Sequence, residues 1–188
     1  MRVYLLIAMC LLSMRVPAWA QEPNTYRVLA TARTSTMQRE MQEAGDGGFH
    51  FAALMGGETA IGGKEVVVIM QRTGGPTTKY EYRLLATNRT STMQKEMQDA
   101  ADAGFRYVGQ TVFESAFGGK EVVCILERDP GRKDRYEYRL LATTKTSTLE
   151  KELNEAGDGG YEVLGMTVGK TALGGTELVA IGRRPIRR

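Results

Sequence analysis

Residues 82–128 read YRLLATNRTSTMQKEMQDAADAGFRYVGQTVFESAFGGKEVVCILER, and closely similar strings stand at 26–72 and 138–184. The three segments start at Tyr26, Tyr82 and Tyr138, 56 residues apart, and align without a gap. Self-similarity at a fixed period marks a repeat architecture in which each unit needs its neighbours to bury its hydrophobic face. Between the units lie Thr73 to Lys79 (TGGPTTK) and Asp129 to Arg135 (DPGRKDR), with the Gly, Pro and charge of linkers.

Within a unit the hydrophobic period changes twice. Tyr80, Tyr82, Leu84 and Ala86 alternate with Glu81, Arg83, Leu85 and Thr87, which predicts a strand with one well-buried face. Ser35 with Gln38, Ser91 with Gln94 and Ser147 with Glu150 have capping-box spacing and predict a helix start. Met37, Met41 and Ala44, with their counterparts Met93, Met97, Ala100 and Leu149, Leu153, Ala156, form one core-facing stripe. Gly48, Gly104 and Gly160 then stop the helix. Two further strands follow, with Gly62-Gly63, Gly118-Gly119 and Gly174-Gly175 marking the hairpin turns. The expected fold is α+β: three tandem βαββ repeats, each a small mixed three-stranded sheet with one helix on one face, packed together. Its third strand lies either beside the second or between the first two. The units join either by extending one sheet or around a pseudo-threefold axis.

Residues 1–20 read as a cleavable export signal: Arg2, an apolar core from Val3 to Met14, and Ala18-Trp19-Ala20 before the cut between Ala20 and Gln21. The expected destination is secreted or periplasmic, with no stable membrane insertion after cleavage. Residues 185–188 form a basic tail. The formal charge of +3 is concentrated in this leader and in Arg183, Arg184, Arg187 and Arg188, so the body gives no reason to expect nucleic acid.

Three copies allow each tempting residue to be compared with its counterparts. Cys124 corresponds to Val68 and Ala180, which favours a buried apolar role. Met37 and Met41 become Leu149 and Leu153, keeping volume and losing sulfur. His50 corresponds to Arg106 and Glu162, read as sharing a solvated strand face, and no nucleophile recurs beside it. One His and one Cys in the mature chain cannot supply a tetrahedral zinc set. Gly57 to Lys64 fails as a phosphate loop because Glu65 stands where Ser or Thr should follow. Asn88-Arg89-Thr90 fits a glycosylation pattern. No catalytic residue, metal site or cofactor is assigned. The candidate anion-binding positions are Arg33, Ser35 and Thr36, then Arg89, Ser91 and Thr92, then Lys145, Ser147 and Thr148, each a cation and hydroxyls at a helix N-terminus.

The third unit carries Tyr136-Glu137-Tyr138-Arg139, Leu149, Leu153-Asn154, Gly157 and Gly160-Tyr161-Glu162-Val163, with Arg183 ending its last strand. In these it resembles the small bacterial family called domain of unknown function 4177. The resemblance implies a compact α+β module and brings no activity or site residues. The function expected is a non-enzymatic binding or structural scaffold, its partner another envelope protein or a small anionic ligand. The alternative is a ligand binder or enzyme whose site forms between repeats.

Overall fold

A computed structural model describes residues 23–59, 63–74, 78–87, 89–114, 120–170 and 175–186. The leader and its cleavage site, Asn88, the greater part of the three hairpin turns and the last two arginines lie outside them. Twelve elements follow in order: β1 (Thr25–Thr31), α1 (Thr34–Asp46), β2 (His50–Thr59), β3 (Gly63–Arg72), β4 (Glu81–Thr87), α2 (Thr90–Asp102), β5 (Arg106–Glu114), β6 (Lys120–Arg128), β7 (Tyr136–Thr143), α3 (Thr146–Asp158), β8 (Glu162–Lys170) and β9 (Thr176–Pro185). The chain is thus three βαββ modules, as its repeats require.

Each module has its own three-stranded sheet, ordered β1-β3-β2, β4-β6-β5 and β7-β9-β8. The last strand lies between the first two and runs antiparallel to both, so the outer strands point the same way without touching. The modules therefore do not extend one sheet. Packing runs from module 1 to 2 and from 2 to 3, through α1 on β4, α2 on β7, β2 on β5 and β5 on β8.

The capping box does not form. The helices begin two residues earlier, with Arg33, Arg89 and Lys145 as N-caps and no side-chain cap. Thr31, Thr87 and Thr143 instead accept the backbone N–H of those N-caps, each at 3.2 Å. Gln38 and Gln94 are engaged elsewhere, as described below. The helix stops follow the expectation: Gly48, Gly104 and Gly160 hold φ of 81°, 89° and 81°. Phe49 N–H bonds Ala44 O at 3.0 Å and Gly48 N–H bonds Gly45 O at 2.9 Å, a Schellman arrangement that each module repeats. The strand-final arginines hold these ends. Arg72, Arg128 and Arg184 donate to the carbonyls of Gly47, Ala103 and Gly159, where a cation complements the helix dipole.

Both faces of the inner sheets are buried, not one. In β6, Val122, Cys124 and Leu126 face their own helix, while Val123 and Ile125 join Tyr82 in the core of module 1. A β-bulge in each second strand adds to this, because the extra residue turns to the other face. Val108 packs on the core of module 1 and Leu164 on that of module 2. Cys124 is fully buried, with its thiol 3.7 Å from Met93 Sδ, and burial pushes its pKa up to about 12. The four methionines of α1 and α2 are likewise buried.

Candidate functional site

Two places carry chemistry worth describing: the helix N-termini and the junctions between modules. At the N-termini Arg33, Arg89 and Lys145 are exposed, as are Ser35, Ser91 and Ser147. The structure adds something at α2. Thr90 Oγ1 donates to Glu177 Oε1 at 2.5 Å, so a carboxylate from β9 of module 3 sits at this helix start.

The junctions are built from glutamine. Gln38 Nε2 donates to Tyr82 O at 2.6 Å, and Leu84 N–H donates to Gln38 Oε1 at 2.5 Å. One turn on, Gln42 Nε2 donates to Tyr80 O at 3.4 Å and Gln42 Oε1 accepts Tyr82 N–H at 3.1 Å. Two side-chain amides thus take the place of a neighbouring strand along the outer edge of β4. The second junction repeats this with Gln94 and Gln98 on Tyr136, Tyr138 and Leu140. The spacing follows from helix geometry, since i and i+4 lie on one face. An edge strand with open N–H and C=O groups is otherwise a template for unwanted pairing.

Beside each clamp runs a cross-strand row. In module 2 it is Tyr82, Glu127 and Arg106. Glu127, 2 % exposed, accepts Tyr82 Oη at 2.7 Å, Phe51 N–H at 3.0 Å and Arg106 at 2.7 Å. In module 3 the charges are exchanged: Arg183 pairs with Glu162, and Tyr138 Oη accepts Tyr107 N–H at 2.7 Å. Of His50, Arg106 and Glu162, expected to share a solvated face, Arg106 departs from the expectation: it is half-buried because Glu127 draws it into the junction, whereas the Glu162 side chain stays 59 % exposed. His50 lies against Tyr80, ring centroids 5.8 Å apart.

The glycines of the second strands complete the fit. A Cβ on Gly109 would lie 2.7 Å from Phe51 Cζ, and one on Gly165 would lie 2.8 Å from Tyr107 Oη. An aromatic side chain from each of the first two modules therefore rests on bare backbone in the next.

The buried charges at the junctions bond one another. Open grooves at the third module include one of about 370 Å³ along Glu137, Gly159, Gly160 and Arg184 and another along Lys133 to Tyr136. In the first, hydrogen bonds from Tyr161 and Arg184 hold the Glu137 carboxyl below its usual range. Among the described residues no group of three side chains is placed to hold a metal, and no helix is long and apolar enough to cross a membrane. No family model, curated protein or solved structure matches the chain. What stands is the threefold tandem βαββ architecture; the kinship with domain of unknown function 4177 has no matching family model behind it.

Capping-box spacing accounts for Gln38 and Gln94 in the sequence and gives Gln42 and Gln98 no role. The signal that identifies them is the third copy, where Gln38 and Gln94 become Glu150, and Gln42 and Gln98 become Asn154. Among the described residues no strand stands beyond module 3 for them to clamp, and both are exposed.

Gln38→Ala leaves the Leu84 N–H and Tyr82 carbonyl half-buried without their partner, and should lower stability in urea by about 1–3 kcal/mol. Glu150→Ala, at the matching exposed position, should change it by less than about 0.5 kcal/mol. Burial, reinforced by Glu127, raises the Tyr82 pKa well above 10. The folded state therefore favours the neutral phenol, and its contribution is complete below the unfolded pKa near 10 and lost as pH rises beyond it. Tyr82→Phe should lose stability less steeply than wild type between about pH 10 and 12, read from urea midpoints.

Proposed function

We propose that this protein is an exported, non-enzymatic scaffold, secreted or periplasmic, that works by presenting a fixed surface to a protein partner of the cell envelope. The supporting observation is the sharing of cores. Tyr82, Val123 and Ile125 of module 2 complete the core of module 1, and Tyr138, Val179 and Ile181 of module 3 complete that of module 2. A unit of this size buries too little alone, and the shared cores let three of them hold one extended arrangement. The leader read at residues 1–20 supports export, and the residues at 136–163 support kinship with domain of unknown function 4177.

A second reading has one observation in its favour. Glu177 at Thr90 shows a carboxylate accommodated at the start of α2, and the matching starts of α1 and α3 could receive an anionic group from a ligand through Arg33, Ser35 and Thr36 or Lys145, Ser147 and Thr148.

Capture with the mature protein from envelope and culture medium should enrich a specific protein partner. Native mass spectrometry showing a stoichiometric small molecule instead would favour the ligand-binding reading. Titration with acetate and phosphate should then move the amide resonances of Thr34 to Thr36 and Thr146 to Thr148 and spare those of Thr90 to Thr92; no movement at any of them removes the anion site.

A further inference from the structure

The ends of the stack carry the two halves of the junction, unpartnered. At the first end, the face of module 1 that matches the buried faces of modules 2 and 3 is open. Tyr26 is 58 % exposed against 3 % for Tyr82 and 2 % for Tyr138, and Val28 is 63 % exposed. Val28, Ile69 and Ala53 form one cross-strand row here. The equivalent rows, Leu84-Ile125-Gly109 and Leu140-Ile181-Gly165, lie inside the junctions. At the other end no strand clamped by α3 stands among the described residues, and Val163, Met166 and Val168 of β8 are exposed. Val163 and Met166 match Phe51 and Leu54, which pack against the core shared by modules 1 and 2. Exposed apolar patches of this kind mark interaction surfaces.

We propose that these ends dock on each other: the open sheet face of module 1 receives the α3–β8 end of a second copy, head to tail. Such a contact reproduces the junction the chain forms twice within itself. The fit at the strand crossing changes on both sides in a compensating way. Internally Phe51 or Tyr107 meets a glycine; between copies the smaller Val163 meets Ala53. The buried charge disappears as well, because Gln71 stands at the position of Glu127 and Arg183. Only the clamp is weakened. The Glu150 carboxylate can accept the Val28 N–H and has no donor for the Tyr26 carbonyl, while Asn154 is one methylene shorter than Gln42 and Gln98. Glu150 and Asn154 therefore keep the intermolecular contact weaker than the internal ones. A heterologous contact of this kind propagates as a ring or an open chain and does not stop at a symmetric dimer. It is independent of which envelope partner the scaffold holds, and failure here leaves that reading standing.

Sedimentation velocity of the mature chain at pH 7 over a concentration series tests the proposal. E150Q/N154Q should self-associate at least about tenfold more tightly than wild type, through two restored hydrogen bonds. Val28→Glu in that background should abolish the assembly; Ile69→Lys serves if Val28→Glu fails to fold. A chain carrying V28E/E150Q/N154Q, mixed with wild type, should give a capped 1:1 dimer. The proposal is overturned if E150Q/N154Q sediments as a monomer throughout, if wild type associates as tightly as E150Q/N154Q, or if assembly survives the folded β1- or β3-face variant.

Discussion

Two glutamine side chains on each of the first two helices satisfy the outer backbone edge of the next module's first strand, and the rest of the assembly depends on this. An unpaired edge in a half-buried position is costly, because each orphaned N–H or C=O loses water without gaining a partner. A primary amide offers one donor and one acceptor in a plane, the same pair a neighbouring strand would supply. Gln38 and Gln42, spaced by one turn, thereby hold Tyr80, Tyr82 and Leu84 in register. Once that edge is fixed, Tyr82 is carried over Glu127, Phe51 comes to rest on Gly109, and Val123 and Ile125 complete the core of module 1.

The dependence runs in one direction along the chain. Each helix grips the strand that follows it, so every module is a donor at one side and an acceptor at the other. The terminal modules depart from the repeat at their outward sides: Asn24 for Tyr80 and Tyr136, Ala53 for the two glycines, Glu150 and Asn154 for the glutamines, Val163 for the aromatics. Terminal repeats with altered outer faces are a general feature of stacked modules. Here Asn24 and Val163 stand where the other modules have aromatic rings, and Glu150 and Asn154 change the hydrogen bonding.

Periodicity and punctuation made the modules legible. The Met37, Met41, Ala44 stripe and Gly48 located α1 and its end, because those signals are local. Comparison among copies placed Cys124 in the core for the same reason. The junctions were not legible in the same way. Gln38 satisfies a capping-box spacing from Ser35, and nothing within the helix reveals that its true partner is 44 residues on, at Tyr82. The strand pattern of Tyr80 to Thr87 predicts one buried face, whereas the second face is buried only by the neighbouring module. The bulges at Ala52, Val108 and Leu164 shift the alternation of the second strands and leave no simple mark in the sequence. His50, Arg106 and Glu162 looked solvated because differing charges on an alternating strand usually are; Arg106 instead pairs with the buried Glu127, while Glu162 meets Arg183 from an exposed position.

The glutamine clamp is most directly read from amide hydrogen exchange on the monomeric chain. Tyr82, Leu84, Tyr138 and Leu140 have N–H groups that point away from their own sheets and donate to glutamine oxygens. Tyr26 and Val28 occupy the same positions on β1, and no glutamine clamp holds them among the described residues. Strong protection at the four junction amides, with rapid exchange at Tyr26 and Val28, is the predicted result. Exchange at Tyr82 and Leu84 as fast as at Tyr26 and Val28 would contradict it.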